Sequence, residues 1–213
     1  MRALRGLLVH EARLLGSIGR WVGRRPHGVG RGAGKAFGYA RGQGAMMFGF
    51  GFVCVLESVC MAVLLRNHPA VHRVVLVLDV YTLLLVVGLH AASVTRPHVL
   101  DDAASVLRVR RFVHVDLRVP LASVASVRRE LVTTHERGER GSDRLDLAVG
   151  AQTTVTLELS VPVRYRPLVG RPRDVRLIRF HADEPEALVR AVRDRVQGSV
   201  GVRAGDRAGG GTP

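Results

Sequence analysis

The chain has 213 residues, and its content of 47% apolar and 23% charged residues fits a folded protein rather than a disordered or fibrous one. Two cysteines exclude a disulfide scaffold, a cysteine-rich zinc site and an iron–sulfur ferredoxin. Lysine and arginine total 32 against 18 acidic residues, for a net charge of +14, and residues 1–45 alone carry +8. The charge therefore divides the chain into a basic N-terminal segment, an apolar middle and a mixed C-terminal region.

Residues 1–22 have the pattern of a basic amphipathic helix, because apolar side chains recur at helical spacing with arginines among them. Such a helix lies in the lipid headgroup region, where Trp21 anchors it and its cations attract anionic lipids. The residues expected to contact the anionic inner leaflet are Arg2, Arg5, Arg13, Arg20, Trp21, Arg24 and Arg25. One alternative is a helix packed on the cytosolic domain. Nucleic-acid binding is disfavoured, because lipid phosphate is nearer to a tethered helix.

Residues 23–45 are rich in glycine and arginine, and we predict a flexible linker. Gly34-Lys35 does not complete a phosphate loop. Val29 occupies the position of the first required glycine, and Ala36 replaces the Ser or Thr that would hold magnesium. No nucleotide or other cofactor is therefore predicted here.

Two apolar runs, residues 46–65 and 74–94, each contain a single full charge, Glu57 and Asp79 respectively. A helix of either length spans about 30 Å, the thickness of a hydrocarbon core. The connection, residues 66–73, is too short for a domain, so we predict an antiparallel transmembrane hairpin. The alternative is a pair of buried helices in a soluble protein.

Orientation follows from the cations that flank the two runs. Five precede the first run between residues 24 and 41, and four follow the second between residues 96 and 111. The connection holds only Arg66 and Arg73. The positive-inside rule therefore places both termini in the cytoplasm of a multi-pass plasma-membrane protein. A cleaved signal peptide is not expected, because the apolar stretch near the N-terminus is short and interrupted by charge.

Four polar side chains fall inside the runs, and they are Glu57, Asp79, Thr82 and His90. Asp79 and His90 are eleven residues apart and share a helix face, while Glu57 and Thr82 lie at similar depth and are predicted to bond across the hairpin. One interpretation is a proton or ion path. The favoured interpretation is that these groups mediate helix association, since two helices alone do not shield a path.

Small residues lie near the inner ends of both runs, Gly49 and Gly51 in the first and Gly88 and Ala92 in the second. Such residues let helix backbones approach closely. Because two helices leave much of their surface open to lipid, we expect the hairpin to self-associate or to pair with another membrane protein.

Residues 98–197 alternate between apolar and polar side chains and predict an antiparallel sheet of six or seven strands. Residues 133–143 are polar and read as a long hairpin loop. Pro162, Pro167 and Pro172 predict an irregular connection or an edge strand. A closing helix follows, with Asp183 as its N-cap, and residues 198–213 are predicted to be a disordered tail.

This order resembles the bacterial pleckstrin-homology-like (PH-like) domain, found in many two-pass membrane proteins. The resemblance lies in Val106 to Arg110, in Arg118 to Val127 with its Pro-Leu turn, and in Arg176 to Arg190. The whole layout is similar to small actinobacterial-type integral membrane proteins. The resemblance implies a PH-like fold over residues 98–197, no shared catalytic residues, and a domain that binds lipids, peptides or its own copies.

Enzyme chemistry is disfavoured, because no zinc-protease motif and no nucleophile elbow occur in the sequence. No metal site is predicted either. We expect an α+β membrane protein with a transmembrane helical hairpin and a cytosolic antiparallel β-sheet or barrel domain closed by a C-terminal helix. The expected function is a non-enzymatic scaffold or adaptor that binds anionic lipids and a protein partner or a second copy, but not nucleic acid. The alternative is an accessory subunit of a transporter that uses Glu57, Asp79 and His90.

Overall fold

A computed structural model describes residues 2–23, 34–113, 115–133, 143–167 and 171–208. The helices are α1 (Arg2–Val22), α2 (Gly44–Leu64), α3 (Pro69–Thr95) and α4 (Pro185–Ala208). The strands are β1 (Lys35–Phe37), β2 (His98–Asp101), β3 (Val106–Arg111), β4 (Val115–Pro120), β5 (Val124–Thr133), β6 (Arg144–Leu147), β7 (Gln152–Tyr165) and β8 (Arg173–Phe180).

The α+β class is as predicted, with two long apolar helices, antiparallel sheets and a C-terminal helix. One sheet has the order β1-β2-β3-β4 and the other has the order β5-β7-β8-β6. Alternate side chains of both sheets meet in a single core, where Leu107, Val119, Leu157 and Ile178 are fully buried. Leu188 of α4 joins this core, so the helix closes the two sheets. We call this unit the sheet domain.

One strand pair departs from the predicted antiparallel pattern. β6 pairs with β8 in parallel, and Leu145 and Leu147 of β6 are buried against the core. β5 and β6 therefore lie at opposite edges of their sheet, and the prediction of a hairpin between them is wrong. A strand of only four residues carries too little pattern to reveal its partner, and burial of its two leucines decides the placement. Residues 134–142 of the predicted loop lie outside the described residues.

β7 continues through Pro162 instead of ending before it. The pairing of β7 with β8 shifts in register between Glu158 and Val163, so the strand is irregular where the proline falls. The pairing of β7 with β5 ends at Leu159, which leaves Pro162 without a partner on that side. A proline is tolerated there because no ladder hydrogen bond is lost.

The predicted linker is structured over the residues that the structure describes, 34–45. β1 pairs with β2, and Phe37 and Tyr39 are buried. A Cβ atom at Gly34 would lie 1.6 Å from the Leu100 carbonyl oxygen, so only glycine permits this approach. The flexible-linker prediction is therefore wrong here, because a short strand is stabilised by the free edge of β2 rather than by its own sequence. Residues 24–33 lie outside the described residues.

The two apolar helices are longer than the runs that predicted them. α2 begins at Gly44, α3 begins at Pro69, and the connection between them is correspondingly shorter. Their most apolar 18-residue windows have mean hydropathies of 2.1 and 2.3, and 0% and 17% of those windows are buried within the chain. The alternative of two buried core helices therefore finds no support, because this chain does not cover them.

α4 extends to Ala208, whereas the sequence predicts a disordered tail from residue 198. Glycine in a helix costs about 1 kcal/mol relative to alanine but does not end the helix, and no proline follows until residue 213. Residues 209–213 lie outside the described residues.

Candidate functional site

α3 lies between α1 and α2, and different faces of α3 contact each of them. Leu14 of α1 packs over Gly88, where an added Cβ would come within 2.9 Å of the leucine Cγ. Ala92 belongs to the same small cluster as Leu14, and the Tyr81 hydroxyl donates a hydrogen bond to the Glu11 carboxylate. Gly88 and Ala92 thus serve the contact with α1, not the predicted contact between the two apolar helices.

α1 covers the segment predicted as an amphipathic helix, but its described residues pack along α3. Leu14 and Ser17 are buried, and Val113 of the sheet domain contributes to the Leu14 cluster. Among the described side chains of α1, the predicted alternative of packing on the sheet domain is therefore met at this one turn. Trp21, next to the last residue of α1, is 39% exposed.

The residues predicted to contact lipid are only partly visible. Arg20 lies in the last turn of α1, and its Nε donates to the Gly16 carbonyl oxygen at 3.3 Å. The side chains of Arg2, Arg5 and Arg13 lie outside the described residues, as do Arg24 and Arg25 entirely.

Trp21 meets His90 near the end of the hairpin that adjoins the sheet domain. The two rings are 5.6 Å apart between centroids and nearly perpendicular. Together they border a cavity of 460 Å³ between α1, α2 and α3, whose other walls include Gly44, Gly51 and Leu83. His90 Nδ1 is buried and has no hydrogen-bond partner among the described residues. Apart from the tryptophan and histidine rings, the walls are apolar.

The acids predicted to lie within the membrane are not brought together. Gly44 and Gly51 face α3, as their closest neighbours His90 and Leu83 show. Glu57 lies six residues beyond Gly51, about 240° around the helix, and its side chain is exposed. Thr82 is also exposed, and the predicted bond between it and Glu57 does not form.

Asp79 is half-buried, as is His90. The two share a helix face, but their spacing places them about 16 Å apart along the axis. No ion pair or shared pocket connects them among the described residues.

A second polar centre lies where the apolar helices meet the sheet domain. Tyr39 precedes α2, and His98 follows α3. Their rings are 5.0 Å apart, and the His98 ring also lies 4.9 Å from Phe180. The backbone N–H of Phe112 donates to the Tyr39 hydroxyl at 2.9 Å. Burial raises the pKa of Tyr39 to about 12.

His98 is fully enclosed and neutral. Its Nδ1 accepts from the Arg110 backbone N–H at 3.0 Å, so the proton lies on Nε2, which donates to the His181 carbonyl oxygen at 2.9 Å. Burial lowers the pKa of His98 from 6.5 to about 4, and the bond to His181 only partly opposes this. Both ring nitrogens are satisfied, so the histidine is a structural link rather than a catalytic base.

Asp183 holds the segment before α2 in place. Its carboxylate accepts the Arg41 backbone N–H at 3.1 and 3.3 Å, and its own N–H donates to the Gly38 carbonyl oxygen at 2.9 Å. α4 begins at Pro185, so the carboxylate predicted to cap this helix binds the linker instead.

Two arginines of the sheet domain lie near Tyr39 and His98. Arg110 is 3% exposed and lies 3.6 Å from Asp116. Arg111 packs against Phe112 and has no carboxylate partner among the described residues. Burial lowers the pKa of both arginines from its ordinary value.

Sequence reasoning missed Tyr39 and His98. An available signal was the pair of aromatic residues Phe37 and Tyr39 inside a glycine-rich stretch, since a flexible linker rarely carries them. No group of three or more potential metal ligands occurs among the described residues. Comparisons with protein-family models, curated proteins and solved structures yield no match to this chain.

Proposed function

We propose that the chain is a non-enzymatic membrane adaptor that holds its sheet domain at a fixed distance from the cytoplasmic face of the plasma membrane. The observation that carries this proposal is the direct attachment of both apolar helices to one folded unit. Tyr39 and His98 lie in the same buried contact, five residues before the start of α2 and three residues after the end of α3. A domain joined at two points has little freedom to swing.

Membrane placement supports this assignment. α2 has no buried residue, and large apolar side chains such as Phe48, Val63 and Leu64 are more than 60% exposed. Such an apolar surface is unfavourable in water and favourable in hydrocarbon. The excess of cations on the flanks supports a cytoplasmic location for both termini and for the sheet domain with them.

The resemblance to the PH-like domain supports a binding role for the sheet domain. Two sheets around one core, closed by a C-terminal helix, fit that resemblance. The parallel edge strand β6 is the feature that departs from it. The transporter alternative has no such support, because Glu57, Asp79 and His90 do not form one site among the described residues.

The adaptor role is tested by photo-crosslinking from the sheet domain in native membranes. Leu131 and Val161 are its two exposed large apolar side chains among the described residues, with 65% and 60% exposure. A crosslinker at either position should capture a defined protein partner or a second copy. A crosslinker at the buried Leu157 serves as the control, and capture no stronger than this control at both exposed positions would contradict the adaptor role.

Fixed attachment is tested by measuring the distance between a spin label at Phe48 and one at Arg118, both exposed. Cys54 and Cys60 are first replaced by alanine so that no other thiol reacts. A narrow distribution in vesicles is expected. A broad one would show that the domain moves independently of the helices.

A further inference from the structure

We propose that the cavity between α1, α2 and α3 binds one acyl chain of an anionic phospholipid from the inner leaflet. The inference rests on the membrane placement proposed above and assigns a lipid class to a defined place in the hairpin. Its volume of 460 Å³ falls within the range of about 300–1,000 Å³ typical of small-molecule sites.

The position and lining of the cavity identify its occupant as a lipid chain. It is bordered by the first half of α2, from Gly44 to Val55, and by the second half of α3, from Leu83 to His90. These are the halves nearest the sheet domain, and so the halves inside the cytoplasmic leaflet. Phe48 and Phe52 border the cavity and are 78% and 60% exposed, so it is open towards the surrounding bilayer. Within hydrocarbon, an open apolar cavity is filled by lipid.

The polar groups of the cavity lie at its inner end. Trp21 and His90 stand edge to face there, and a Cβ atom added at Gly44 would lie 4.0 Å from the His90 Cε1 atom. His90 borders the cavity at this end, and its buried Nδ1 has no hydrogen-bond partner among the described residues. A tryptophan at this level is typical of the interface where lipid headgroups begin.

Cations around that end favour an anionic headgroup. Arg20 adjoins Trp21 in α1, and Arg41 lies three residues before Gly44. The Arg41 guanidinium reaches Glu184 only at 3.6 Å, with both side chains more than 60% exposed, so this pair is weak and leaves the cation able to attract phosphate. Arginine side chains near the surface of an anionic leaflet are attracted to its headgroups.

The experiment uses Trp21 as its reporter, because it is the only tryptophan of the chain. The full chain is reconstituted in neutral phosphatidylcholine vesicles that contain a minor fraction of lipid with brominated chains, which quench a neighbouring indole. That brominated lipid is either phosphatidylglycerol or phosphatidylcholine, at equal fraction. We expect stronger quenching by the brominated phosphatidylglycerol, and this excess should shrink at high salt.

Two glycines provide matched variants. Gly51 borders the cavity, and an added Cβ there would meet Leu83 Cδ1 at 3.9 Å, an ordinary contact, so Gly51→Leu is the variant chosen to fill the cavity. Gly49 has nothing within 4 Å of its added Cβ and faces outward. The excess quenching should be lost in Gly51→Leu and kept in Gly49→Leu. Val55→Phe is a second filling variant, in case Gly51→Leu does not fold.

The outcomes separate this inference from the proposed function. If carbonate releases the chain from membranes, the membrane placement fails and the lipid site with it. If the chain stays inserted but both brominated lipids quench equally, or both filling variants keep the excess, the lipid site alone is wrong. If neither brominated lipid quenches Trp21 until the protein is diluted in the bilayer, a second copy of the chain occupies the cavity and the lipid assignment is wrong.

Discussion

His98 gives the sheet domain a dependence on pH that can be stated with its sign. Its pKa is about 4 in the folded chain and 6.5 when unfolded, so the unfolded chain binds the proton more readily between these values. The contribution of His98 to the free energy of unfolding is therefore fully present above pH 6.5. It decreases as the pH falls towards 4 and levels off below that. The loss from this residue between pH 7 and pH 5 is about 2 kcal/mol.

The measurement is the thermal unfolding midpoint of the full chain in detergent from pH 7.5 to pH 5. His98→Asn keeps an acceptor for the Arg110 N–H but does not titrate, so its midpoint should be lower at pH 7.5 and should decline less steeply. His181 also has a pKa lowered by burial, and His181→Asn is the matched control that keeps the His98 slope. Equal slopes in wild type and His98→Asn would show that His98 is not the titrating group.

Asp183 is the residue on which the order of the segment before α2 depends most directly. Removing its carboxylate leaves the Arg41 N–H without a partner, which costs about 1–3 kcal/mol where the group stays buried and less where water replaces it. We predict that Asp183→Ala speeds trypsin cleavage after Arg41 several-fold. Asp174→Ala breaks only an exposed ion pair with Arg164 and should leave that cleavage rate unchanged.

At the scale of elements, the α1–α3 contact depends on the absence of a side chain at Gly88. A methyl group there would press on Leu14, at 2.9 Å from its Cγ. We predict that Gly88→Ala loosens α1, and that adding Leu14→Ala restores part of the contact by making room. The readout is crosslinking between cysteines at positions 11 and 81, whose native side chains are hydrogen-bonded, in a chain without Cys54 and Cys60.

Gly49→Ala is the control for that crosslinking, because its added methyl group meets nothing within 4 Å. If Gly88→Ala crosslinks as well as wild type, Leu14 accommodates the methyl group and the glycine is not what brings the helices together.

The elements that the sequence predicted are those whose pattern is long or whose periodicity is strong. The apolar runs of α2 and α3 and the alternation in β3, β4, β5, β7 and β8 are of this kind. β1 was beyond prediction, because three residues become a strand only when a neighbouring strand offers its free edge. The alternation at Leu145 to Val149 did predict a strand where β6 lies, but not its parallel pairing with β8. The sequence also did not show which neighbour each helix face contacts. Gly51 and Gly88 both look like packing residues, and only the position of α1 shows which helix each of them packs against.

The candidate site could be predicted only in part, because the sequence does not show which helices lie side by side. Trp21 and His90 stood out as polar or aromatic residues near a membrane boundary, but no spacing rule brings α1 beside α3. Glu57 and Thr82 lie at similar depth by residue count, yet the rotation of each helix turns both side chains away from the other. The depth of a residue along a helix can be counted from the sequence. Whether its side chain points towards a neighbouring helix depends on which helices are neighbours, and the sequence does not show that.

At the scale of the whole molecule, the flanking cations predict the sidedness of the sheet domain. A reporter enzyme that is active only outside the cytoplasm should be silent when fused after Pro213 or before Met1, and active when inserted at Asn67 between the helices. Activity at the C-terminus would place the sheet domain outside and contradict the proposed topology.

The outward position of Glu57 bears on assembly. α3 and α1 do not cover this carboxyl group, and a polar group that faces hydrocarbon is costly unless another polar group meets it. A second copy or another membrane protein would supply that contact. Asp79, in contrast, is half-buried on the face of α3 that it shares with His90. We therefore predict that association depends on Glu57 more than on Asp79.

Crosslinking of the full chain in native membranes measures this dependence. Glu57→Leu should reduce the crosslinked species several-fold while leaving membrane insertion intact, because leucine removes the polar contact and favours the hydrocarbon. Glu57→Gln keeps a hydrogen-bonding group and should retain most of the association. Val53→Leu changes an apolar residue one turn away on the same face and is the matched control. A wild-type chain that crosslinks to nothing, or a Glu57→Leu chain that associates like wild type, would mean that lipid headgroups or water, rather than a protein partner, satisfy this carboxyl group.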